Sequence, residues 1–276
     1  MTSRTIIRTT NRDDLRTKAG GQGRYYHWQG DAYISVTNAI KAGLPAPALM
    51  YWAAKMVAEH VAGNLDDVVE LSQKMETSEF VSYLKNQPWQ ARDKAGNIGT
   101  TVHEIAEQYV IGAESIDLSQ YEKPVQDKAR QFVDFMRTVK PDVWAIEGVV
   151  FNRTHRYAGA FDFIFDINYP DGMLAGRYIV DVKTGSGIYP EAALQQTAYA
   201  EGEFIAVGTD EVPMPEVDGA FALHLTPRTW KLIPVVIGDT SFQAFLSVLE
   251  TAKWVHKDGM GGKEQSVGVP YLSSGE

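Results

Sequence analysis

Residues 145–183 read AIEGVVFNRTHRYAGAFDFIFDINYPDGMLAGRYIVDVK. Short runs rich in β-branched and aromatic residues, which favour strands, alternate here with groups of turn-forming residues. The pattern predicts three strands, over residues 145–151, 158–168 and 177–183. Their connections, centred on Thr154-His155 and Asp171-Gly172, have the composition of hairpin turns. We therefore expect three strands that pair in order along the chain.

Three carboxylates fall at symmetric positions in these two hairpins. Asp162 and Asp181 each lie nine residues from the second turn, and residues equally far from a two-residue turn face each other across an antiparallel pair. Glu147 and Asp162 each lie seven residues from the centre of the first turn. Lys183 is two residues beyond Asp181 and so points to the same face of the sheet. The sequence thus predicts one row of three carboxylates beside a lysine.

Such a row has a specific chemical use. Opposed carboxylates about 5 Å apart destabilise a sheet unless their charge is compensated. A divalent cation provides that compensation, and Mg²⁺ prefers carboxylate, carbonyl and water oxygens. The cation would polarise a phosphoryl oxygen and activate a water molecule, while Lys183 would orient that water or stabilise the developing charge. The row therefore predicts phosphodiester hydrolysis, the alternative being ordinary charges on a solvated sheet face.

Outside this stretch the chain alternates between helical and strand patterns. An aromatic hairpin is predicted over residues 24–36, with its turn at Gln29, Gly30 and Asp31. Residues 96–101 predict a break, and Thr101 with Glu104 fits a capping box that begins a new helix. Helices are predicted over residues 46–62, 66–75, 78–85, 101–111, 122–139, 190–205 and 240–256, and further strands over 220–225 and 230–237.

This order predicts an α/β fold in which a central mixed β-sheet is flanked by helices. We expect an aromatic hairpin and helical N-terminal lobe in residues 1–90 and a catalytic core in residues 91–260. The polar, glycine-rich residues 261–276 are predicted to be a flexible tail.

Composition and charge exclude several classes of protein. With 276 residues, 44% of them hydrophobic, the chain can bury a sizeable core. The absence of cysteine excludes disulfides and cysteine-ligated zinc or iron–sulfur sites. A net charge of −9 argues against wrapping nucleic acid by bulk electrostatics, so any DNA contact should be local. No signal peptide or membrane span is recognisable, which predicts a cytoplasmic protein, in the host cytoplasm if phage-encoded.

Four short motifs occur in order along the chain. Gly159-Ala160-Phe161-Asp162, Asp181-Val182-Lys183 and Gln195-Gln196-Thr197-Ala198-Tyr199 resemble the GxxD, (D/E)xK and QxxxY motifs of the PD-(D/E)XK nucleases. Upstream, Gly99-Thr100-Thr101-Val102-His103 matches a helical histidine of the RecB-like branch, which includes CRISPR-associated and phage-encoded exonucleases. The motifs span about a third of the chain. Because cysteine is absent, a phage-type exonuclease without an iron–sulfur cluster is the better comparison.

The resemblance implies a restriction-endonuclease-like core and a Mg²⁺- or Mn²⁺-dependent DNA exonuclease in recombination, repair or phage DNA processing. It implies that the metal is bound by His103, Asp162, Asp181 and the Val182 carbonyl. It also implies a catalytic role for Lys183 and supporting roles for Gln195 and Tyr199, with Glu147 matching a strand glutamate of less defined role. A recombinase or single-strand annealing partner and a ring-shaped homo-oligomer are compatible with it.

Several residues have two interpretations. Arg92, Lys94, Arg153 and Arg156 flank the motifs and are either DNA contacts or solvated charges. The aromatic cluster Tyr25, Tyr26 and Trp28 either stacks on bases or packs the hairpin, and packing is favoured. Glu107, one helical turn after His103, either hydrogen-bonds near that histidine or lies on the helix surface.

Two other functions share these motifs. A non-catalytic DNA-binding or recombination-accessory module would keep the fold without activity, although Asp181 and Lys183 are both present. A structure-specific endonuclease would have the same site within a different surrounding surface.

Overall fold

The computed structural model of the chain describes residues 6–19, 23–112, 116–168 and 174–257. These residues contain thirteen strands and seven α-helices, with a short 3₁₀ helix at Leu118–Gln120. The strands are β1 (Ile7–Arg8), β2 (Arg16–Ala19), β3 (Gly23–Trp28), β4 (Asp31–Ser35), β5 (Asp142–Ile146), β6 (Val149–Asn152), β7 (Tyr157–Ala160), β8 (Phe163–Asn168), β9 (Ala175–Lys183), β10 (Phe204–Val207), β11 (Asp210–Pro213), β12 (Gly219–Leu225) and β13 (Trp230–Val235). The helices are α1 (Val36–Gly43), α2 (Pro47–Gly63), α3 (Leu65–Lys74), α4 (Thr77–Val110), α5 (Lys123–Val139), α6 (Glu191–Ala200) and α7 (Asp239–Lys257).

Two mixed sheets form the centre of the fold. The first has six strands in the order β1-β5-β8-β9-β12-β13, and the second has seven in the order β11-β10-β6-β7-β4-β3-β2. In the first sheet β12 runs parallel to β9 while β8 runs antiparallel to it, and in the second β4 runs parallel to β7. The predicted α/β class with mixed-sheet architecture is confirmed, with two sheets where the sequence suggested one.

The helices pack on both faces of the first sheet. Helices α1, α6 and α7 share one buried cluster with residues of both sheets, among them Ile179 of the first and Tyr157 of the second. Helix α5 and the C-terminal part of α4 cover the other face, where Phe132 stacks on Phe163. The first sheet is therefore buried on both faces, and α4 is held against its strands by apolar packing.

One long hairpin connects the two sheets. Strands β6 and β7 pair with Asn152 opposite Tyr157, in the register predicted from the Thr154-His155 turn. The same register continues into β5 and β8, where Ile146 faces Phe163. Between these pairs the chain passes from one sheet to the other, so the strands predicted over residues 145–151 and 158–168 are each divided in two.

The crossing point has a steric cause. Glu147 has a left-handed backbone, with φ of +49°, which interrupts an extended strand. A side chain at Gly148 would overlap the Phe161 ring, so this position requires glycine. The crossing is closed by hydrogen bonds from the Glu147 amide to the Asp162 carbonyl, 2.7 Å, and from the Phe161 amide to the Gly148 carbonyl, 3.0 Å.

The second predicted register is also confirmed. Phe163 pairs with Val180 and Asp166 with Arg177, as expected for a turn centred on residues 171 and 172. That turn itself lies outside the described residues. Asp162 and Asp181 occupy the next position of this register, one residue beyond the Phe163–Val180 pair.

Aromatic side chains form the buried cluster of the second sheet. The turn Gln29-Gly30, with φ of +48° and +86°, joins β3 to β4; the predicted hairpin is present, but Asp31, predicted as part of the turn, is the first residue of β4 and pairs with Trp28. Tyr26 and Trp28 are buried and pack against Phe151 of β6. The interpretation of these two residues as core packing is therefore confirmed, and they are not available to stack on bases.

Helix α4 differs from its prediction. It runs without interruption through residues 96–101, so the predicted break and the separate helices over 78–85 and 101–111 are wrong. The Thr100 and Thr101 hydroxyls donate to the carbonyls of Gly96 and Asn97, one turn earlier, so Thr101 is not a cap. A Cβ at Gly99 would lie 3.0 Å from Thr184 Oγ1, which shows that this glycine permits close approach of the helix to the loop after β9.

Other boundaries also move. The predicted helix over residues 190–205 ends at Ala200, and its last residues begin β10. The domain boundary suggested at residue 90 falls inside α4. Strand β1 belongs to the first sheet, and strands β2, β3 and β4 belong to the second. The predicted tail, residues 261–276, lies outside the described residues. Among those described, none of the helices has the combination of length and apolarity needed to span a bilayer.

The continuity of α4 predicts the effect of replacing Gly96. A Cβ there would meet no atom within 4 Å. Because alanine loses less backbone entropy than glycine on entering a helix, we expect Gly96→Ala to raise the free energy of unfolding by about 0.5–1 kcal/mol in urea denaturation. As a control, Gly208→Ala should destabilise, because Gly208 has φ of +62°. An unchanged or lowered stability of Gly96→Ala would contradict an uninterrupted helix.

Candidate metal site

His103 lies on α4 and faces the point where Asp162 and Val182 meet. Its Nδ1 is 3.3 Å from Oδ1 of Asp162, and its Nε2 is 2.9 Å from the Val182 carbonyl oxygen. The Val182 amide donates a hydrogen bond of 2.7 Å to Oδ2 of Asp162. Val102 and Ile105, buried against the first sheet, fix the rotation of α4 that directs His103 here. These contacts bring together three of the four groups that the sequence predicted as metal ligands.

Glu147 completes a group of metal-ligating side chains. One ligand atom from each of His103, Glu147 and Asp162 lies within 4.8 Å of the others. Imidazole nitrogen and carboxylate oxygen together suit a divalent cation, so this group could hold a metal ion. The sequence left the role of Glu147 open, whereas the structure places it in the group and Asp181 beside it.

A chain of polar contacts extends from Asp181 to α6. Lys183 Nζ is 2.7 Å from Oδ2 of Asp181, whose side chain is buried, and donates a hydrogen bond of 3.0 Å to Oε1 of Gln195. Gln195 Nε2 in turn donates to the hydroxyl of Tyr199, also at 3.0 Å. Tyr199 is buried, so its hydroxyl is a fixed point for Gln195. The predicted residues Gln195 and Tyr199 therefore hold the Lys183 ammonium beside Asp181.

Burial and neighbouring charges shift the pKa values of these groups. Burial alone would lower the pKa of His103, but Asp162 and then Asp181 raise it to about 9. Burial and the Asp162 carboxylate raise the pKa of Asp181 to about 6, although Lys183 acts in the opposite direction. Burial also opposes ionisation of Asp162, yet His103 and the Val182 amide hold the pKa of that carboxyl below its usual value. The carboxylates are thus balanced by an imidazolium and an ammonium.

Glu147 also pairs with the N-terminal segment, residues 8–16. Arg12 forms ion pairs with both Glu147 and Glu107, and Arg8 forms a second ion pair with Glu107. The segment is fixed by buried Thr9, whose hydroxyl donates to the Ala206 carbonyl and accepts from the Val149 amide at 2.9 Å. Glu107 is buried and pairs with these two arginines, so it is neither a surface acid of the helix nor a partner of His103 in the described residues.

Sequence reasoning did not include Arg8 or Arg12 in the site. The available signal was weak, because arginines in a polar N-terminal segment are usually solvated. The nearly buried Glu107 requires a cationic partner, but its burial is visible only in the fold. The left-handed backbone of Glu147 is a further feature without a local sequence signal. A non-glycine residue in that conformation stores strain, and such residues concentrate at functional sites.

These groups line one cleft with a volume of about 750 Å³. Its walls include α4, the loop after β9, Gln195 of α6 and residues 12–16 of the N-terminal segment. The lining residues with ionisable side chains are Arg12, Asp13, Arg16, His103, Glu104, Glu107, Glu147, Asp162, Asp181 and Lys183. The predicted site residues from His103 to Gln195 therefore converge on one solvent-accessible space.

The predicted DNA-contacting residues lie elsewhere. Arg92 is exposed on α4, with its guanidinium 4.7 Å from the centre of the Trp89 ring. Lys94 lines a separate groove between α4 and α5. Arg153 and Arg156 lie in the β6–β7 turn, at the opposite end of those strands from Glu147 and Asp162, and pair with Glu211 and Asp31 respectively. The structure does not bring these four residues into the cleft.

Comparison of the chain with protein-family models and with curated proteins yields no match. The resemblance to PD-(D/E)XK nucleases consequently rests on the motifs and on the site that their residues form.

The charge balance predicts that metal binding releases a proton. His103 has a pKa of about 9, so it is protonated near neutral pH, whereas a metal requires neutral imidazole. We expect Mn²⁺ binding to release about one proton and the affinity to rise about tenfold per pH unit from about 6 to about 9. Calorimetric titration in two buffers of different ionisation enthalpy measures this release. His103→Asn should abolish it, and a buffer-independent heat for the unaltered protein would contradict the assignment.

Proposed function

We propose that the protein is a metal-dependent deoxyribonuclease of the PD-(D/E)XK type. The observation that carries this proposal is the convergence of His103, Asp162, the Val182 carbonyl and Lys183 in one cleft, in the register expected from the two hairpins. The antiparallel unit β5-β8-β9, followed by α6 and the parallel strand β12, supports the comparison with a restriction-endonuclease-like core.

The donor set fits Mg²⁺ or Mn²⁺. The groups that would hold the ion are His103, Glu147, Asp162 and the Val182 carbonyl, with Asp181 adjacent. When bound, the ion supplies polarisation of the phosphodiester and activation of a water molecule. Carboxylate and carbonyl oxygens with one imidazole nitrogen are ligands that these ions accept, and the ion would take the place of the His103 proton that balances the carboxylates.

Lys183 is the proposed catalytic residue of the chain itself. Its ammonium projects into the cleft beside Asp181, where it can orient the attacking water or stabilise negative charge that develops on the phosphate. Gln195 and Tyr199 are positioning residues, because they act on the substrate only through the direction of the Lys183 side chain. The buried Asp181 keeps the pKa of Lys183 raised against the effect of burial, so the ammonium stays charged.

The exonuclease preference comes from the likeness of the motifs to RecB-like enzymes. On the same basis we propose a role in recombination, repair or phage DNA processing, with a recombinase or annealing protein as partner. An endonuclease would use the same catalytic residues. Linear and closed circular substrates therefore distinguish an exonuclease from an endonuclease.

The proposal predicts degradation of linear DNA with Mg²⁺ or Mn²⁺ and not with Ca²⁺. Lys183→Ala should lower the cleavage rate on the order of 10³-fold, because it removes a charge that acts in the transition state. The assay uses end-labelled linear DNA, with circular dichroism to confirm that the variant is folded. Lys183→Gln, which keeps a polar side chain but removes the charge, should lose activity equally.

The matched control is Lys253→Ala on α7, whose ammonium pairs with Glu250 outside the cleft. It should cleave at the normal rate. Nicked and closed circular substrates separate the two nuclease types, since an exonuclease leaves closed circles intact. Undiminished cleavage by Lys183→Ala would refute the mechanism, and no cleavage of any substrate by the unaltered protein would favour the accessory module.

A further inference from the structure

Residues 12–16 form part of the lining of the cleft. They contribute the side chains of Arg12, Asp13 and Arg16 to that lining. Two of these are cations that face a space otherwise rich in carboxylates. Arg12 is paired with buried glutamates, whereas Arg16 is not.

Arg12 is fully occupied by the protein. Its guanidinium pairs with Glu107 and with Glu147, both of which are nearly buried. Ion pairs that exclude solvent in this way are costly to break, because separation leaves an unpaired charge inside the protein. Arg12 is therefore a structural counter-ion for the two glutamates, and Arg8 has the same role toward Glu107.

Arg16 has no such partner. Its nearest carboxylate in the described residues is Asp13, at 3.9 Å, and the Asp13 side chain is fully exposed. An ion pair of this length to a solvated carboxylate contributes little. The buried Nε of Arg16 donates to no group of the described chain. The Arg16 side chain is still only 26% exposed, so its charge has been partly desolvated without a matching counter-ion.

The orientation of Arg16 is nevertheless fixed. Its guanidinium lies over the Tyr26 ring, 5.6 Å from the ring centre, and Arg16 is paired with Tyr26 across β2 and β3. The preceding residue, Leu15, is buried, and its carbonyl accepts a hydrogen bond of 2.8 Å from the His27 amide. A planar guanidinium held against an aromatic ring presents its N–H groups in a defined direction, which suits a phosphate.

The other cation of the cleft cannot take this role. Lys183 is engaged by Asp181 and Gln195 beside the metal group. A DNA strand that enters a cleft lined by six carboxylates requires a cation that no buried carboxylate already holds, and Arg16 meets that condition. We propose that Arg16 binds a backbone phosphate of the DNA strand in the cleft, next to the one that is cleaved. This inference rests on the proposed nuclease function and adds the residue that holds the substrate.

The test measures binding separately from cleavage. Fluorescence anisotropy of a labelled DNA duplex with a free end, in Ca²⁺, gives the affinity as a function of salt. We expect Arg16→Gln to weaken binding about tenfold and to reduce the slope of log affinity against log salt by about 0.9, the value for one lost phosphate contact. Arg16→Lys should restore most of the slope, because it retains the charge. A purely structural role would not be rescued in this way.

A neutral methylphosphonate placed at single positions of the duplex then identifies the phosphate. At one position it should weaken binding by the unaltered protein and leave Arg16→Gln unaffected. The matched control is Arg130→Gln on α5, which removes an arginine paired with Asp127 outside the cleft and should change neither affinity nor slope. Equal sensitivity of Arg16→Gln and the unaltered protein to every methylphosphonate would overturn the inference, as would an unchanged salt slope.

These outcomes are distinct from failure of the proposed function. DNA binding that depends on Arg16, without metal-dependent cleavage, would uphold the phosphate contact and reject the nuclease. Cleavage that requires Lys183, with binding unaffected by Arg16→Gln, would do the reverse.

Discussion

The crossing of one hairpin between two sheets is the constraint on which the rest of the structure depends. At Glu147 and Gly148 one strand leaves the first sheet for the second, and Phe161 and Asp162 mark the same passage on the opposing strand. The register is conserved through the crossing, so the two carboxylates face each other where neither belongs to a ladder. Side chains at a sheet junction are free of the alternation that fixes direction within a strand. That freedom lets Glu147 and Asp162 point toward the same space as His103.

Charge balance follows from this geometry. Buried carboxylates brought this close must be compensated. The chain does so with side chains from three separate places: His103 on α4, Lys183 at the end of β9 and Arg12 in the N-terminal segment. Each cation pairs with a different carboxylate, so the negative charges are compensated within the site. The arrangement leaves one arginine of the cleft, Arg16, facing a fully exposed carboxylate and no buried one.

The two registers could be predicted from the sequence because turn positions alone determine which residues face each other. The residues of the motifs were named from the sequence by their type and spacing, and the fold brings His103, Asp162 and Lys183 into one cleft. The division of the strands was not predicted, because the left-handed backbone of Glu147 and the tight packing of Gly148 depend on the second sheet. The false break in α4 arose because Gly99 and Thr101 imitate a helix start, whereas the hydroxyl of Thr101 is satisfied inside the helix. Arg8 and Arg12 were not predicted as site residues because the glutamates with which they pair lie far away in sequence.

That separation in sequence has a consequence for how the site forms. Thr9 docks against Ala206, a residue 197 positions away, and β1 is parallel to β5, with Ile7 opposite Ala145, 138 positions further along the chain. Contacts of such high sequence separation form late, because the entropy of closing a long loop must be overcome before they contribute. During synthesis residues 7–12 emerge before the strands that receive them, so these contacts form only after β5, β6 and β10 have been made. A chain that has paired strands β5 to β13 but has not yet docked residues 7–12 would leave Glu107 and Glu147 without their shared arginine.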